Sequence, residues 1–353
     1  MLSREEYLKL SLEERFIKLS KKESDRADRL FQDLVTVDLH THIFGSIHFS
    51  FDYELVRQSG MAGCFEAVPI LFEDFDESMG LLGKYKQLVA ASPGLVSVTC
   101  TEEILKAKQE GKQAVMYQLE PLTIGRELER IEVAYGLGIR MMLLTFNTKN
   151  YLGDGCTAKT DTGLSYLGIE VVKRLNDAGI LIDLSHCGIR TSMDAIKYSK
   201  DPVLFNHTGA RALNPPVARL KWDEQLTALA DKGGVVGISA IPNQLSSEPE
   251  QGIEDMLNHI DYVKNLIGVD HVAIGLDNIF GDQVANHREM AASRGADFKK
   301  SGMNLVADYM YGIESPLEWR NIIRGLISRG YTDEEIEKIV GGNALRIIKE
   351  VVG

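Results

Sequence analysis

Val35-Thr36-Val37-Asp38-Leu39-His40-Thr41-His42 is the stretch that decides how this chain reads. A β-rich, mainly apolar run ends in imidazoles at positions i and i+2. In a strand, residues two apart face the same way. Two imidazoles so placed converge on one point, as two ligands of one divalent metal must.

Similar apolar runs recur along the chain, separated by amphipathic helical stretches. The pattern predicts strands at 35–44, 63–70, 114–120, 140–146, 180–186, 202–208, 234–240 and 271–277. Interiors such as Met141-Met142-Leu143-Leu144 and Val235-Val236-Gly237-Ile238 suit strands buried on both faces of a parallel sheet. Helices are expected at 125–137, 164–178, 190–199, 223–231 and 252–267, with Gly136, Gly138, Gly179, Gly233 and Gly268 as left-handed residues at helix ends. Eight β/α units make the expected fold α/β, a (β/α)8 TIM barrel. Residues 1–33 read as a charged helical extension with Leu8, Leu10, Leu12, Phe16 and Ile17 on one face. Residues 34–280 hold the barrel strands. Residues 281–353 read as a polar loop (281–302) and two extra helices (317–330 and 332–352), with Thr332 and Glu335 as a capping box. One barrel domain is expected to cover the whole chain.

Active sites of such barrels lie at the C-terminal strand ends. Here the first strand ends His40-Thr41-His42, the third in Glu120, the fifth in His186, the sixth in His207 and the eighth in Asp277. Four His and two carboxylates exceed the three protein ligands of a single catalytic zinc. They suit two ions about 3.5–4 Å apart, bridged by a carboxylate. Glu120 is the candidate bridge, and Asp277 the candidate general base and acid. His48, His259, His271 and His287 read as loop, helix, strand-start and polar-loop residues outside the site. Cys187 reads as a small buried hydrophobe beside it.

Composition narrows the partners. The 353 residues carry a formal net charge of -12, and both nucleic acid and anionic membrane need a basic face, so neither is expected. Cys64, Cys100, Cys156 and Cys187 form no C-x-x-C pair. No apolar run reads as a signal peptide or a membrane span. The expected location is the cytoplasm, and the expected partner a small-molecule substrate.

Taken together, Val37-Asp38-x-His40, the Glu120 strand, Leu181-Ile182-Asp183-Leu184-Ser185-His186, Phe205-x-His207-Thr208-x-Ala210-Arg211, Ile274-Gly275-x-Asp277, Gly312-Ile313-Glu314-Ser315-Pro316 and the tail Gly341-Gly342-Asn343 resemble the renal-type membrane dipeptidase family of the amidohydrolase superfamily. The likeness runs from about Val35 to the C-terminus. It implies a barrel with two zinc ions that hydrolyses dipeptides or related small amides by metal-activated hydroxide. By motif, His40 and position 42 hold the first ion, Glu120 bridges, His186 and His207 hold the second, and Asp277 shuttles the proton. Arg219 matches the family's arginine for the substrate carboxylate. A homodimer is implied by analogy alone.

The chain departs from that pattern in three places. His42 stands where the family has Asp. Phe146 follows Leu144-Thr145 where the family has His touching the reacting oxygen, so Asn147, Asn150 or the metals alone are expected to compensate, or else the reaction differs. The family's Asp-Phe-Asp-Gly reads Asp277-Asn278-Ile279-Phe280-Gly281. These departures keep two alternatives open: an amidohydrolase of another amide or lactone (an N-acyl amino acid, a cyclic amide), and a catalytically silent metal-binding barrel.

Overall fold

The computed structural model describes residues 2–46, 49–68, 74–120, 124–294 and 300–353. Eight strands, β1 (Val37–Thr41), β2 (Gly63–Val68), β3 (Gln113–Leu119), β4 (Ile139–Leu143), β5 (Leu181–Asp183), β6 (Leu204–Thr208), β7 (Val235–Ile238) and β8 (Val272–Ile274), close into a parallel ring in chain order. Asp38 opposite Ile274 completes the circle between β1 and β8. This is the expected (β/α)8 barrel. Each predicted strand is present; β3 and β4 start one residue earlier than expected and end sooner, residues 69–70 of the second expected strand lie outside the described residues, and the others are shorter. A further short strand, Leu95–Ser97, adds to the start of β3.

The interior of the ring explains where the site must lie. Val37, Leu39, Phe65, Met116, Met141, Leu181, Leu204, Val235 and Ala273 form one apolar cluster. Ala344, Ile347 and Ile348 of the C-terminal helix Asn343–Val351 join this cluster. Polar side chains follow at the other end of the strands, where the apolar filling stops. Helices such as Tyr166–Ala178, capped by Ser165 and ended by Gly179 at φ 70°, bury Val171, Val172 and Leu175 outside the ring.

Two glycines make room for a distortion of β6. A Cβ on Gly237 would lie 1.9 Å from the Asn206 carbonyl oxygen, and one on Gly275 only 1.7 Å. The β6–β7 register shifts between Val236 and Ile238, beside the same residue. Asn206 therefore intrudes on its neighbours, and β7 and β8 admit it by giving up side chains.

The terminal segments brace the barrel. Ser3, Ser11 and Ser20 each cap a helix (Arg4–Leu8, Leu12–Arg15, Lys21–Asp33) with a reciprocal Glu three residues on. These caps break the single apolar face expected of residues 1–33. Tyr7 and Phe16 are buried, whereas Leu8 is exposed. Tyr7 Oη donates to Glu318 Oε1 at 2.6 Å, and Arg15 pairs with the same carboxylate at 3.2 Å. Arg4 donates to the Gly281 carbonyl at 2.9 Å and pairs with Asp282 at 3.4 Å.

Three expectations need correction. Residues 281–302 are not a plain loop, because Gln283–Arg294 is a helix whose buried face is Gln283, Val284 and His287. Gly136 is the last residue of the helix Arg130–Gly136, and Gly138 takes the left-handed turn at φ 103°. The helix expected at 332–352 starts on its Thr332–Glu335 capping box but widens to a π turn at Lys338–Gly342. There a Cβ on Gly341 would stand 1.8 Å from the Val35 carbonyl oxygen.

His259, on the helix Ile253–Ile267, ties two mouth loops together. Its Nδ1 accepts from Ala210 N at 2.9 Å, and its Nε2 lies 3.0 Å from the Leu245 carbonyl. That pattern needs a neutral ring, and burial lowers its pKa to about 4.

Two stability measurements test this packing. In urea, Gly275→Ala should cost about 1–3 kcal/mol as an overpacked core substitution. Gly80→Ala, in the helix Phe75–Ala91 with nothing within 4 Å of its Cβ, should gain about 0.5–1 kcal/mol. For His259, the unfolded ring titrates near pH 6.5, so below that pH the unfolded chain takes up a proton that the folded chain refuses. Its contribution is whole above about pH 6.5 and falls as pH drops toward about 4. The loss should reach about 2 kcal/mol by about pH 5, and His259→Gln should flatten that part of the stability–pH curve relative to wild type.

Candidate metal centre

The strand ends bring six side chains to one place. His40 Nε2 lies 3.3 Å from His42 Nε2, 3.5 Å from Glu120 Oε2 and 3.4 Å from Asp277 Oδ1. His42 Nε2 lies 3.2 Å from Asp277 Oδ1. On the other side, His186 Nε2 is 3.0 Å from His207 Nε2 and 3.4 Å from Glu120 Oε1. His207 Nε2 is 3.6 Å from Asp277 Oδ2. Nitrogen and oxygen ligands at about 2.1 Å around a tetrahedral zinc stand about 3.4 Å apart. The observed separations sit on that value. Among the described residues, two groups bring their ligand atoms within 4.8 Å of one another: His40, His42 and Asp277, and His40, Glu120 and His207. The donor set fits divalent metal.

Charge is graded across the cluster. Burial, then the Arg219 guanidinium and the repulsion a second proton on the adjacent His207 would bring, hold His186 well below the usual imidazole range. His207 is likewise held down by burial and by His40. Both rings keep a lone pair for a metal at neutral pH. At His40 the balance differs: burial opposes a proton there, and Glu120 and Asp277 outweigh it. Burial raises the Glu120 carboxyl. Burial also presses Asp277 upward, but His207 and His40 and the bonds from His40 and His42 hold it well below the carboxylate range. Asp277 takes a left-handed backbone at φ 55°, and its N–H donates to the His40 carbonyl at 3.0 Å. A non-glycine residue there is uncommon outside functional sites.

A polar layer beneath the ligands holds them in place. Asp38 accepts from the N–H groups of His40 and Leu276. Glu66 accepts from Ile43 N at 2.7 Å and Thr41 Oγ1 at 3.2 Å, fixing the turn that carries His42. Asp183 accepts from Ser185 N, Ser185 Oγ and Asn206 N. Asn147 Oδ1 lies 2.7 Å from His186 Nδ1, and Asn206 Oδ1 is in contact with His207 Nδ1. Gln118 Nε2 lies 2.5 Å from His40 Nδ1. Sequence reasoning overlooked this layer. Its signal was a polar residue inside a run otherwise built for burial: Asp38, Gln118, Asp183, Asn206.

The other candidates fall as follows. Phe146 stacks on the His186 ring, centroids 4.0 Å apart, and offers no donor. Asn150 lies turned into its own loop, donating to Leu144 O and accepting from Leu152 N and Gly153 N. Asn150 thus braces its own loop, and Asn147 is the amide that meets a ring of the cluster. Arg219 is buried, with its guanidinium on the carbonyls of Ser185 and His207. Cys187 is buried, 3.3 Å from Thr145 Oγ1. His271 bonds the Gly234 carbonyl at the far end of β8. His48 lies outside the described residues. His287, read as a loop residue, is instead buried on the helix over the mouth. Its neighbour Gln283 reaches both its Nε2 (3.2 Å) and the Asp277 carbonyl (3.3 Å).

The comparisons with known proteins agree with one another. The family model described as membrane dipeptidase (peptidase family M19) matches residues 25–289 and 295–352. Dipeptidase tcpJ of Claviceps purpurea (strain 20.1) is 28% identical over 254 residues, covering 71% of this chain and 54% of that protein. An uncharacterized dipeptidase of Schizosaccharomyces pombe (strain 972) is 26% identical over 297 residues, covering 79% of this chain and 65% of that protein. The chain thus spans between half and two thirds of these relatives' length. An amidohydrolase from Pseudomonas aeruginosa superposes with TM-score 0.80 at 27% identity, covering 93% of this chain and 99% of that one. A metallo peptidase from Rhodobacter sphaeroides, liganded with a phosphinate mimic of the dipeptide L-Ala-D-Ala, shares the fold at TM-score 0.75 and 18% identity, covering 90% of this chain and 100% of that one. With the family model matched over most of its length, the chain belongs to the membrane dipeptidase family, peptidase family M19.

Proposed function

We propose that this chain hydrolyses dipeptides or closely related small amides at a centre of two divalent ions, with zinc as the metal. One observation carries the reading: the two oxygens of Glu120 face opposite imidazole pairs, Oε2 toward His40 at 3.5 Å and Oε1 toward His186 at 3.4 Å. His40 and His42 would hold one ion, His186 and His207 the other, and Glu120 would bridge them. When bound, the ions supply Lewis acidity that makes water a nucleophile at neutral pH and polarises the amide carbonyl.

The chain's own groups do the rest. Asp277, ionised at neutral pH, takes a proton from the attacking water and returns it to the amide nitrogen as the C–N bond breaks. Its left-handed backbone aims the carboxylate between the imidazoles, where the exchange occurs. The Arg219 cation attracts the free carboxylate of a dipeptide to this end of the mouth.

A second reading, hydrolysis of an N-acyl amino acid, cyclic amide or lactone, draws on Phe146. Its ring covers His186 and gives an apolar wall where a hydrogen-bond donor would serve a peptide. Four cysteines without disulfide partners support a reducing, cytoplasmic location. Among the described residues no helix is long and apolar enough to cross a membrane. A homodimer is proposed on the family likeness alone.

Two outcomes are expected of the purified protein. Chelation should abolish dipeptide turnover and added Zn²⁺ restore it. Asp277→Asn should lower kcat by roughly 10²–10⁴ while metal content, read by elemental analysis, stays near that of wild type. Metal-loaded protein that leaves a dipeptide panel intact but opens N-acyl amino acids or lactones would establish the second reading. Inertness on all of them would return the silent barrel.

A further inference from the structure

We infer that the two metal subsites are unequal: the one at His186 and His207 is set to receive an ion, and the one at His40 is opposed by a pair of buried carboxamides, Gln118 and Asn206. The inference rests on the metal reading above and adds an order of filling to it.

An imidazole that ligates through Nε2 carries its hydrogen on Nδ1, and that hydrogen needs an acceptor. His186 has one, Asn147 Oδ1 at 2.7 Å. His207 has one, Asn206 Oδ1. His40 does not. Its Nδ1 faces Gln118 Nε2 at 2.5 Å and Asn206 Nδ2 at 3.2 Å, and both are donors. The hydrogen of a neutral His40 ring is thereby directed to Nε2, the atom that faces Glu120 and Asp277.

The orientation of these amides follows from the backbone. Asn206 Nδ2 lies 3.3 Å from the Leu39 carbonyl, which can only accept. Turning Asn206 over would set two oxygens against each other there. With Asn206 so pinned, its Nδ2 donates to Gln118 Oε1 at 2.6 Å, which leaves the Gln118 NH₂ pointing at His40. The four groups form a line, His207–Asn206–Gln118–His40, with a single direction. Such a line can present an acceptor to the imidazole at one end only.

An ion at His40 therefore requires the Gln118 amide to turn over. Oε1 would then accept from His40 Nδ1, but Nε2 would oppose Asn206 Nδ2, and the 2.6 Å hydrogen bond would be lost. Losing one buried hydrogen bond corresponds to about tenfold in affinity. A carboxylate at position 118 would remove the conflict, because it offers an oxygen to each neighbour.

Calorimetric titration of the metal-free protein with Zn²⁺ tests this. Two steps are expected, the second weaker by at least about tenfold. Gln118→Glu should strengthen the second step by about the same factor and leave the first in place. Gln118→Met removes the opposing donor without burying a charge, and should narrow the gap even if the glutamate variant fails to fold. In ring ¹⁵N spectra of the metal-free protein, the neutral form of His40 should carry its hydrogen on Nε2, and His186 and His207 should carry theirs on Nδ1. Equal steps in wild type, or a gap that neither folded variant narrows, would overturn the inference while leaving the metal reading intact. A wild-type chain that takes up no zinc would overturn both.

Discussion

Six side chains of metal-ligating type meet at one end of a barrel, His40, Glu120, His186 and His207 buried and His42 and Asp277 partly so, with their nitrogen and oxygen atoms 3.0–3.6 Å apart. Lone pairs and carboxylate charge crowded this closely out of water are costly unless a cation or protons lie among them. That constraint organises the rest of the molecule. The apolar filling of the ring stops below the cluster, so the ligands stand on packed side chains. The layer between is polar, and each amide and carboxylate in it is spent on turning a ring or a strand end.

The distortion of β6 is the clearest case. His207 enters the cluster because Asn206 bulges inward, and the bulge exists because Gly237 and Gly275 on the next two strands leave it space. The same Asn206 supplies the acceptor for His207 and opposes, through Gln118, the corresponding arrangement at His40. A backbone irregularity, two missing side chains and the state of two imidazoles are thus one feature. The terminal segments act on the same region from outside. Arg4 holds Gly281 and Asp282 at the start of the helix whose Gln283 touches the Asp277 carbonyl.

Much of this was legible in the sequence. Short β-branched runs between amphipathic stretches gave all eight strands, because a parallel strand buried on both faces has a composition that little else shares. His or acidic residues where those runs stop gave the cluster, since strand C-termini share one face of a barrel. The helix Gln283–Arg294 was not legible. It buries Gln283 and His287 rather than an apolar stripe, so no helical period shows in its composition. Nor was the commitment of Asn150 to its own loop, or of Arg219 to two backbone carbonyls, because a side chain's type does not say which acceptor it meets. The amide layer was hidden for the same reason.

The function proposed for this chain depends on a pair of ions bridged by Glu120. Anomalous scattering at the zinc edge from crystals of the zinc-loaded protein tests it most directly. Two peaks about 3.5–4 Å apart are expected astride Glu120, one against His40 and His42 and the other against His186 and His207, each at about 2.0–2.2 Å from its ligands. A single peak, or a pair of peaks that Glu120 does not join, would contradict it.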